Sequence, residues 1–319
     1  MKYLLLFISL FLYASDLVDV YRYEGSDAVV KEAEKLITDK NYWLNRLSNQ
    51  DVTWGYYESK KDILVCIKSK KKLNVLEYNK KGFKQIDTIS VLTGLEGDKK
   101  KEGDLKTPVG VYRLKAIINN VDSFYGPFAF ATSYPNMFDK INSKDGHGIW
   151  IHGEPLEGKR DNSNTKGCIV MDNNMLEKLK KEINYQKTYL LISENDPLKA
   201  TKNEIARILA MIYKWRKAWR ENDFDSYKNF YAKDFKKSDG KDLKEFLNYK
   251  KRVFKNKKNQ HVEIYFSDIN IIPYQNIDKH KIFRIDMYEK YISNTYKYTG
   301  PKELYVKFTD NGLKIVAEK

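Results

Sequence analysis

A histidine and a cysteine sixteen residues apart are the residues of this chain most clearly able to carry out a chemical reaction. His152 is followed by Gly153, and Cys168 is preceded by Gly167. A thiol nucleophile needs a base within hydrogen-bond reach and a backbone donor for the developing oxyanion. Glycine before the cysteine permits a sharp turn at the sulfur, because glycine has no Cβ. The pair predicts acyl transfer by Cys168, with His152 as its base and the N–H groups of Gly167 and Cys168 as oxyanion donors.

An apolar run leads into the histidine. Residues 148–151 read Gly-Ile-Trp-Ile, which is typical of a strand that ends at His152. Side chains at the end of a strand project from a rigid scaffold. We therefore expect the base at a strand end and the nucleophile at the far end of the loop that follows.

The same residue types allow two other interpretations. A lone cysteine is most often a small buried hydrophobe, and a lone histidine is often a structural group. A metal site is the second alternative, since five residues with ligand side chains lie close together in the sequence: Asp145, His147, His152, Glu154 and Cys168. However, the two histidines are an odd number of residues apart, so on one strand they face opposite sides. The chain also has no CxxC or HExxH pair, and we predict no metal or other cofactor.

Two ordered motifs resemble the L,D-transpeptidase (YkuD) family. In that family His-Gly is followed, after a loop, by Ser/Thr-His-Gly-Cys, a hydrophobic residue and often Arg. The matching residues here are Thr165, Gly167, Cys168 and Ile169. An upstream family element, Gly followed by Thr-Pro-x-Gly-x-aromatic, matches Gly103, Thr107-Pro108, Gly110 and Tyr112. The resemblance covers roughly residues 60 to 194.

The resemblance implies a compact, mostly β catalytic domain that acts on peptidoglycan stem peptides. It also implies that the Gly153 carbonyl orients the His152 ring. Substrate-binding roles are expected for four residues near the thiol: Thr165, Lys166, His147 and Trp150. The acyl-enzyme formed at the L-centre of the diamino acid then passes to water or to the amine of another stem.

Two positions depart from the family pattern. Lys166 stands where the family often has His, and Val170 stands where it often has Arg. A missing Arg removes a bidentate partner for a substrate carboxylate, which favours water as the acceptor. The whole layout resembles the cell-shape L,D-carboxypeptidases of helical Gram-negative bacteria, which trim tetrapeptides to tripeptides. An L,D-transpeptidase and a catalytically silent peptidoglycan-binding protein remain alternatives.

The N-terminus predicts export to the periplasm. Residues 1–15 place an apolar run behind one lysine and end in Ala-Ser, the pattern of a signal peptide that is too short to span a bilayer. After its cleavage we expect no integral membrane span.

Cys66 lies in an apolar run typical of a buried strand, so we expect core packing there and a free reactive thiol at Cys168.

The net charge of +15 does not by itself indicate nucleic acid as a partner. Of the 58 basic residues 49 are lysine and nine are arginine, and they are spread along the chain. Phosphate-binding surfaces favour arginine and clustered patches. The charge would instead attract an acidic polymer such as peptidoglycan.

The chain divides into four parts, and the fold class predicted for the whole is α+β. The signal peptide (1–15) precedes an N-terminal helical segment (16–58), whose amphipathic stretch at 26–47 is expected to pack on the catalytic domain or to form a homodimer. Strand-like runs then predict an antiparallel β catalytic domain over 59–196. Residues 197–319 place helices, including 224–235 and 241–254, before a curved antiparallel sheet. That order, with a short motif at 219–227, resembles the NTF2-like fold.

Overall fold

The computed structural model describes residues 16–158, 164–257, 260–276 and 278–319. The predicted signal peptide therefore lies outside the described residues. The described chain has two β-sheets with helices against them, which confirms the α+β prediction. No helix within the described ranges is long and apolar enough to cross a membrane.

The strands and helices follow in chain order. The strands are β1 Tyr56–Tyr57, β2 Lys61–Ile67, β3 Lys72–Asn79, β4 Gly82–Ser90, β5 Gly110–Ile118, β6 Ala129–Thr132, β7 Trp150–His152, β8 Ile169–Val170, β9 Thr188–Ser193, β10 Tyr231–Lys237, β11 Val262–Gln275, β12 Lys281–Ser293, β13 Lys297–Thr309 and β14 Gly312–Glu318. The labelled helices are α1 Ser26–Thr38, α2 Lys40–Arg46, α3 Met137–Ile141, α4 Asn173–Glu182, α5 Lys202–Arg220, α6 Phe224–Lys228 and α7 Leu243–Asn256. Residues 16–24 are also helical.

The first large sheet has the strand order β4-β3-β2-β9-β5-β6-β7-β8. It is mixed, and the prediction of an antiparallel sheet is wrong because β2 pairs in parallel with β9, and β7 with β8. Parallel neighbours require a crossover of a dozen or more residues, and the sixteen residues between His152 and Ile169 are enough for one. The parallel register sets His152 opposite Val170, so Cys168 lies beside the start of β7.

The second sheet has the order β1-β11-β12-β13-β14-β10, and α5 packs against it. The helix predicted over 224–235 is wrong: α6 ends at Lys228, and the chain continues as β10, parallel to β14. Tyr227 and Tyr231 have helical spacing, but pairing of Tyr231 with Ile315 overrides that local pattern. The predicted helix at 241–254 is present as α7, and α1 and α2 replace the single helix predicted at 26–47.

The N-terminal helices pack on the C-terminal domain. Asp39 is extended and caps α2 by accepting a hydrogen bond from the Asn41 N–H, which breaks the helix there. Trp43 lies in the core cluster of α5 and stacks on Tyr213 with ring centroids 5.6 Å apart. The amphipathic pattern predicts contacts with the catalytic domain or with a second copy, whereas the segment contacts α5 of the C-terminal domain. The homodimer stays a prediction.

A second core joins the two domains. One buried cluster contains Val111 and Tyr189 of the first sheet together with Tyr274 and Tyr305 of the second. Phe138 of α3 stacks on Tyr305 with ring centroids 4.4 Å apart. The domains therefore share buried apolar surface, which orients the catalytic sheet relative to its neighbour.

Replacing Trp43 by Ala should lower the free energy of unfolding by about 3–5 kcal/mol, because it deletes a large side chain from a packed core. Trp43 is 7% exposed and its indole N–H donates to Ile37 O at 2.8 Å. Urea unfolding followed by circular dichroism measures the change. Val30→Ala, on an exposed position of α1, is the control and should change stability by less than about 0.5 kcal/mol. Equal stability of both variants would contradict the docking of this segment.

Candidate active site

A cavity of about 480 Å³ opens where β7 and β8 meet the loops on either side of them. Its walls combine residues of the two motifs with others near them: Lys99, Glu102, Gly103, Leu105, Phe124, Tyr125, His147, Gly148, Ile149, His152, Asn164, Thr165, Lys166 and Cys168. The structure therefore brings the predicted nucleophile and the predicted base to one cavity.

The backbone at the cysteine is held by the upstream motif. Gly167 has φ +124°, and a Cβ at this position would lie 2.8 Å from Lys106 O, so only glycine fits without strain. The Thr107 hydroxyl donates to Gly167 O at 2.9 Å and accepts from the Gly94 N–H at 2.8 Å. The Thr-Pro element thus fixes the turn that presents the sulfur, which is a physical reason for the two motifs to occur together.

The Cys168 sulfur lies between two backbone groups of the 148–150 segment. Its Sγ accepts from the Trp150 N–H at 3.4 Å and donates to Gly148 O at 3.3 Å. An N–H donor beside sulfur stabilises a thiolate more than a thiol. The bond to Gly148 O stabilises the thiol instead, so the two contacts together fix the position of the sulfur and leave its charge to the base.

His152 is fixed in one tautomer. Its Nδ1 lies 2.8 Å from Gly153 O, and a carbonyl only accepts hydrogen bonds, so Nδ1 carries the proton. The basic nitrogen is then Nε2. The ring is 2% exposed and packs edge-on against Tyr125, with centroids 5.0 Å apart. Tyr125 O in turn accepts from the Gly153 N–H at 3.1 Å, which holds the orienting carbonyl in place.

Gly153 has no space for a side chain. A Cβ there would lie 1.9 Å from Asn173 Oδ1 and 3.2 Å from Pro127 Cδ. The same Asn173 oxygen would lie 2.6 Å from a Cβ at Gly126. It is buried and has no hydrogen-bond partner within the described part of the chain. Close packing around Gly153 therefore sets the position of its carbonyl.

The remaining predicted site residues lie in different surroundings. Lys166 and His147 are exposed and line the cavity, as does the buried Thr165. Thr165 is engaged in the loop itself, where its hydroxyl donates to Cys168 O at 2.6 Å. Trp150 is not among the residues that line the cavity; its ring packs on Tyr125 with centroids 5.2 Å apart.

Two interpretations from the sequence need correction. The Gly167 N–H donates to Thr165 Oγ1 at 3.0 Å, so it stabilises the turn instead of pointing at an oxyanion. The Cys168 N–H stays a prediction for that role. Val170 is 1% exposed in β8 and is not one of the residues that line the cavity. The presence of Val170 where the family often has Arg therefore does not by itself define the charge of the surface that binds the substrate.

Sequence reasoning missed the wall formed by residues 99–105. Three consecutive lysines at 99–101 are typical of a solvated loop, yet Asp104 orders this segment by accepting from the N–H groups of Lys100, Lys101 and Lys106. Burial raises the pKa of Asp104, but these N–H groups and the Lys99 ammonium outweigh it and hold that pKa well below its usual range. The sequence feature that indicates such a turn is Asp104, which directly follows Gly103.

The five residues considered as metal ligands, Asp145, His147, His152, Glu154 and Cys168, form no group that could hold a metal ion. His147 is exposed at 81% of its side-chain surface and its Nδ1 lies 3.9 Å from Glu102. Among the described residues no group of three or more His, Cys, Asp and Glu side chains is placed to hold a metal ion.

Alkylation should separate the two cysteines. Burial raises the pKa of the Cys66 thiol to about 12, so this thiol stays protonated and inaccessible at neutral pH. Cys168 lies in the open cavity and should react with iodoacetamide at about pH 7.5, since the thiolate is the reactive form. Peptide mapping by mass spectrometry measures both sites. Faster labelling of Cys66 than of Cys168 would contradict the assignment.

Gly153→Ala should slow alkylation of Cys168 and cost about 1–3 kcal/mol of stability, because the new methyl displaces the carbonyl that orients His152. The double variant Gly153→Ala with Asn173→Ala removes the clashing oxygen and should recover part of both losses. Asn173→Ala alone is the matched control and should label normally. If the single and double variants behave alike, Asn173 does not set this position.

Family models and solved structures resemble the chain over both domains. Residues 60–192 match the L,D-transpeptidase catalytic domain (YkuD), and residues 207–319 match the Cds6 C-terminal NTF2-like domain. Curated protein sequences give no match.

The solved structures extend the similarity to almost the whole chain. The helical cell shape determining protein Pgp2 from Campylobacter jejuni is 40% identical with a TM-score of 0.83, over 88% of this chain and 99% of that one. Its K307A mutant gives 39% and 0.85, over 89% and 99%. Bd1075 from Bdellovibrio bacteriovorus gives 25% and 0.65, over 85% and 96%. The chain therefore belongs to the YkuD L,D-transpeptidase family and shares with Pgp2 a catalytic domain followed by an NTF2-like domain.

Proposed function

We propose that this protein is a periplasmic peptidoglycan L,D-carboxypeptidase that trims tetrapeptide stems to tripeptides and contributes to cell shape. The observation that carries the proposal is the pairing, in one cavity, of the Cys168 thiol with a His152 whose Nδ1 is held by Gly153 O. The similarity to Pgp2, a helical cell shape determining protein, supports the cellular role. The sequence pattern of residues 1–15 supports export.

The first half-reaction forms a thioester. His152 Nε2 accepts the thiol proton, and Sγ attacks the carbonyl at the L-centre of the diamino acid that precedes the terminal D-Ala. The Cys168 N–H is the donor proposed for the oxyanion. As the tetrahedral intermediate collapses, the C–N bond breaks and His152 returns the proton to the departing amine, which releases D-Ala.

The second half-reaction transfers the acyl group to water. His152 removes a proton from the water, and the water oxygen forms a C–O bond with the thioester carbonyl carbon. The C–S bond then breaks, His152 returns the proton to the sulfur, and the stem is released with a new terminal carboxyl group. Lys166 acts in the first half-reaction. It is an exposed cation on the cavity wall, where it can attract the carboxylate of the D-Ala to be released. It provides a positive charge at the substrate-binding surface, which Val170, buried in β8, cannot provide.

Cross-linking is the second candidate, because the family model that matches this domain is that of an L,D-transpeptidase. In that case the amine of another stem replaces water in the second half-reaction. Both reactions use the same thioester, so they differ in the acceptor and consequently in the product.

Incubation with tetrapeptide muropeptides should give tripeptide and free D-Ala, with little dimer, as read by mass spectrometry. Cys168→Ala should abolish turnover while the protein stays folded, because the side chain is small and partly exposed. Cys66→Ala is the matched control; it should keep activity and cost about 1 kcal/mol of stability. Dimers joined between two diamino acids as the main product would show a transpeptidase. Full activity of Cys168→Ala would overturn the mechanism.

A further inference from the structure

The cavity at Cys168 has an acidic side chain on its wall that the proposed reaction does not use. Among the described residues that line the cavity, only Glu102 carries a carboxylate. The side chain of Glu102 is 72% exposed, so a molecule that enters the cavity can reach it. An accessible carboxylate beside a reaction centre is suited to bind a cation that donates hydrogen bonds.

The turn over residues 99–106 is held in place without the Glu102 carboxylate. Asp104 accepts hydrogen bonds from three backbone N–H groups of this turn. Asp145 Oδ1 accepts from the Glu102 N–H at 2.7 Å, and the hydroxyl of the buried Tyr134 donates to Asp145 O at 2.7 Å. The backbone of Glu102 is therefore fixed in the cavity wall by contacts that leave its side chain out.

The Glu102 carboxylate has no hydrogen-bond donor among the described side chains. Its one ionic contact with them is to His147, whose Nδ1 lies 3.9 Å from Glu102 Oε2, which is too long for a hydrogen bond. The Lys99 ammonium lies on the same wall, but it is 4% exposed and pairs with Asp104 at 2.9 Å. The negative charge of Glu102 is therefore left for a ligand in the cavity.

The proposed substrate has one cation that the reaction leaves unassigned. A diamino acid within a peptide keeps a second amine at the end of its side chain, and Lys166 is already assigned to the carboxylate of the D-Ala. That amine lies six bonds from the carbonyl carbon that Cys168 attacks, which is a distance of at most about 8 Å. A cavity of about 480 Å³ that both Cys168 and Glu102 line can hold both groups.

We propose that Glu102 binds the side-chain ammonium of the diamino acid and makes the site selective for stems in which that amine is free. This role rests on the proposed reaction for its substrate and adds a specificity-determining residue to it. Acylation of the amine, as in a cross-link, converts the ammonium into a neutral amide and removes the charged hydrogen bond. Glu102 touches a part of the substrate that does not react, so it contributes to binding and leaves the chemical step unchanged.

Calorimetric titration of the full-length protein carrying Cys168→Ala measures this binding without turnover. The two probes are a tetrapeptide muropeptide with a free side-chain amine and the same muropeptide acetylated at that amine. The free-amine probe should bind about five- to tenfold more tightly, because a charged hydrogen bond is lost on acetylation. With Glu102→Gln added, the free-amine probe should lose this advantage and the acetylated probe should keep its affinity, so that both bind alike.

Two further variants test whether the charge of Glu102 sets the preference. Glu102→Lys should make the acetylated probe the tighter ligand, since like charges repel. Glu96→Gln is the matched control: Glu96 is an exposed acid in the preceding loop that does not line the cavity, so its loss should leave both affinities unchanged. Equal affinity for the two probes before any change at Glu102, a preference that persists in Glu102→Gln, or no binding of either probe would overturn the assignment.

Turnover by the protein with its native Cys168 separates this assignment from the proposed function. Glu102→Gln should raise KM for the free-amine tetrapeptide about five- to tenfold and keep kcat within about twofold, as expected when only binding is lost. If neither probe yields D-Ala, the carboxypeptidase proposal fails, while the two affinities still decide the role of Glu102. If both probes yield D-Ala with the same KM, the proposed function stands and the role of Glu102 is refuted.

Discussion

The parallel pairing of β7 with β8 is the constraint on which the site depends. Because parallel neighbours need a long crossover, the chain must leave His152, pass through a loop and return beside the same strand. The residue just before β8 then lies next to the start of β7, where the Trp150 N–H and Gly148 O contact its sulfur. The sixteen-residue spacing seen in the sequence is the length of this crossover, and the active-site cavity opens beside it.

The sequence predicted the reactive pair because its determinants are local. Glycine at 167 and the carbonyl at 153 follow from backbone needs within a few residues of Cys168 and His152. The engagement of the Gly167 N–H by Thr165 and the burial of Val170 depend on how the chain folds back at this turn. Residue types therefore gave the wrong role for the Gly167 N–H, and the family pattern did not reveal that Val170 is buried. The helix predicted at 224–235 failed for the same reason, since β14 supplies a partner that lies far away in the sequence.

The N-terminal segment illustrates a further limit of pattern reading. Its apolar stripe indicates that one face is covered, but an amphipathic pattern does not identify the covering surface. The structure shows that α5 contacts the segment, with Glu34 accepting from Arg220 at 2.7 Å in addition to the Trp43 stack, although no residue of α1 itself is buried. β1 then adds to the edge of the C-terminal sheet. The N-terminal segment therefore belongs structurally to the NTF2-like domain, although the catalytic domain follows it directly in the chain.

The contact between the domains connects the C-terminal sheet to the catalytic centre. Arg284 donates to Val111 O at 2.8 Å, and Asn136 Nδ2 donates to the same carbonyl at 3.1 Å. Val111 lies in β5, four residues after the Thr107 that anchors the Gly167 turn. A buried guanidinium is costly unless it is fully paired, and Arg284 obtains its partners from both domains. If the domains separated, the hydrogen bond between the Arg284 guanidinium and the Val111 carbonyl would be lost. The NTF2-like domain is thus part of the scaffold that positions the cysteine.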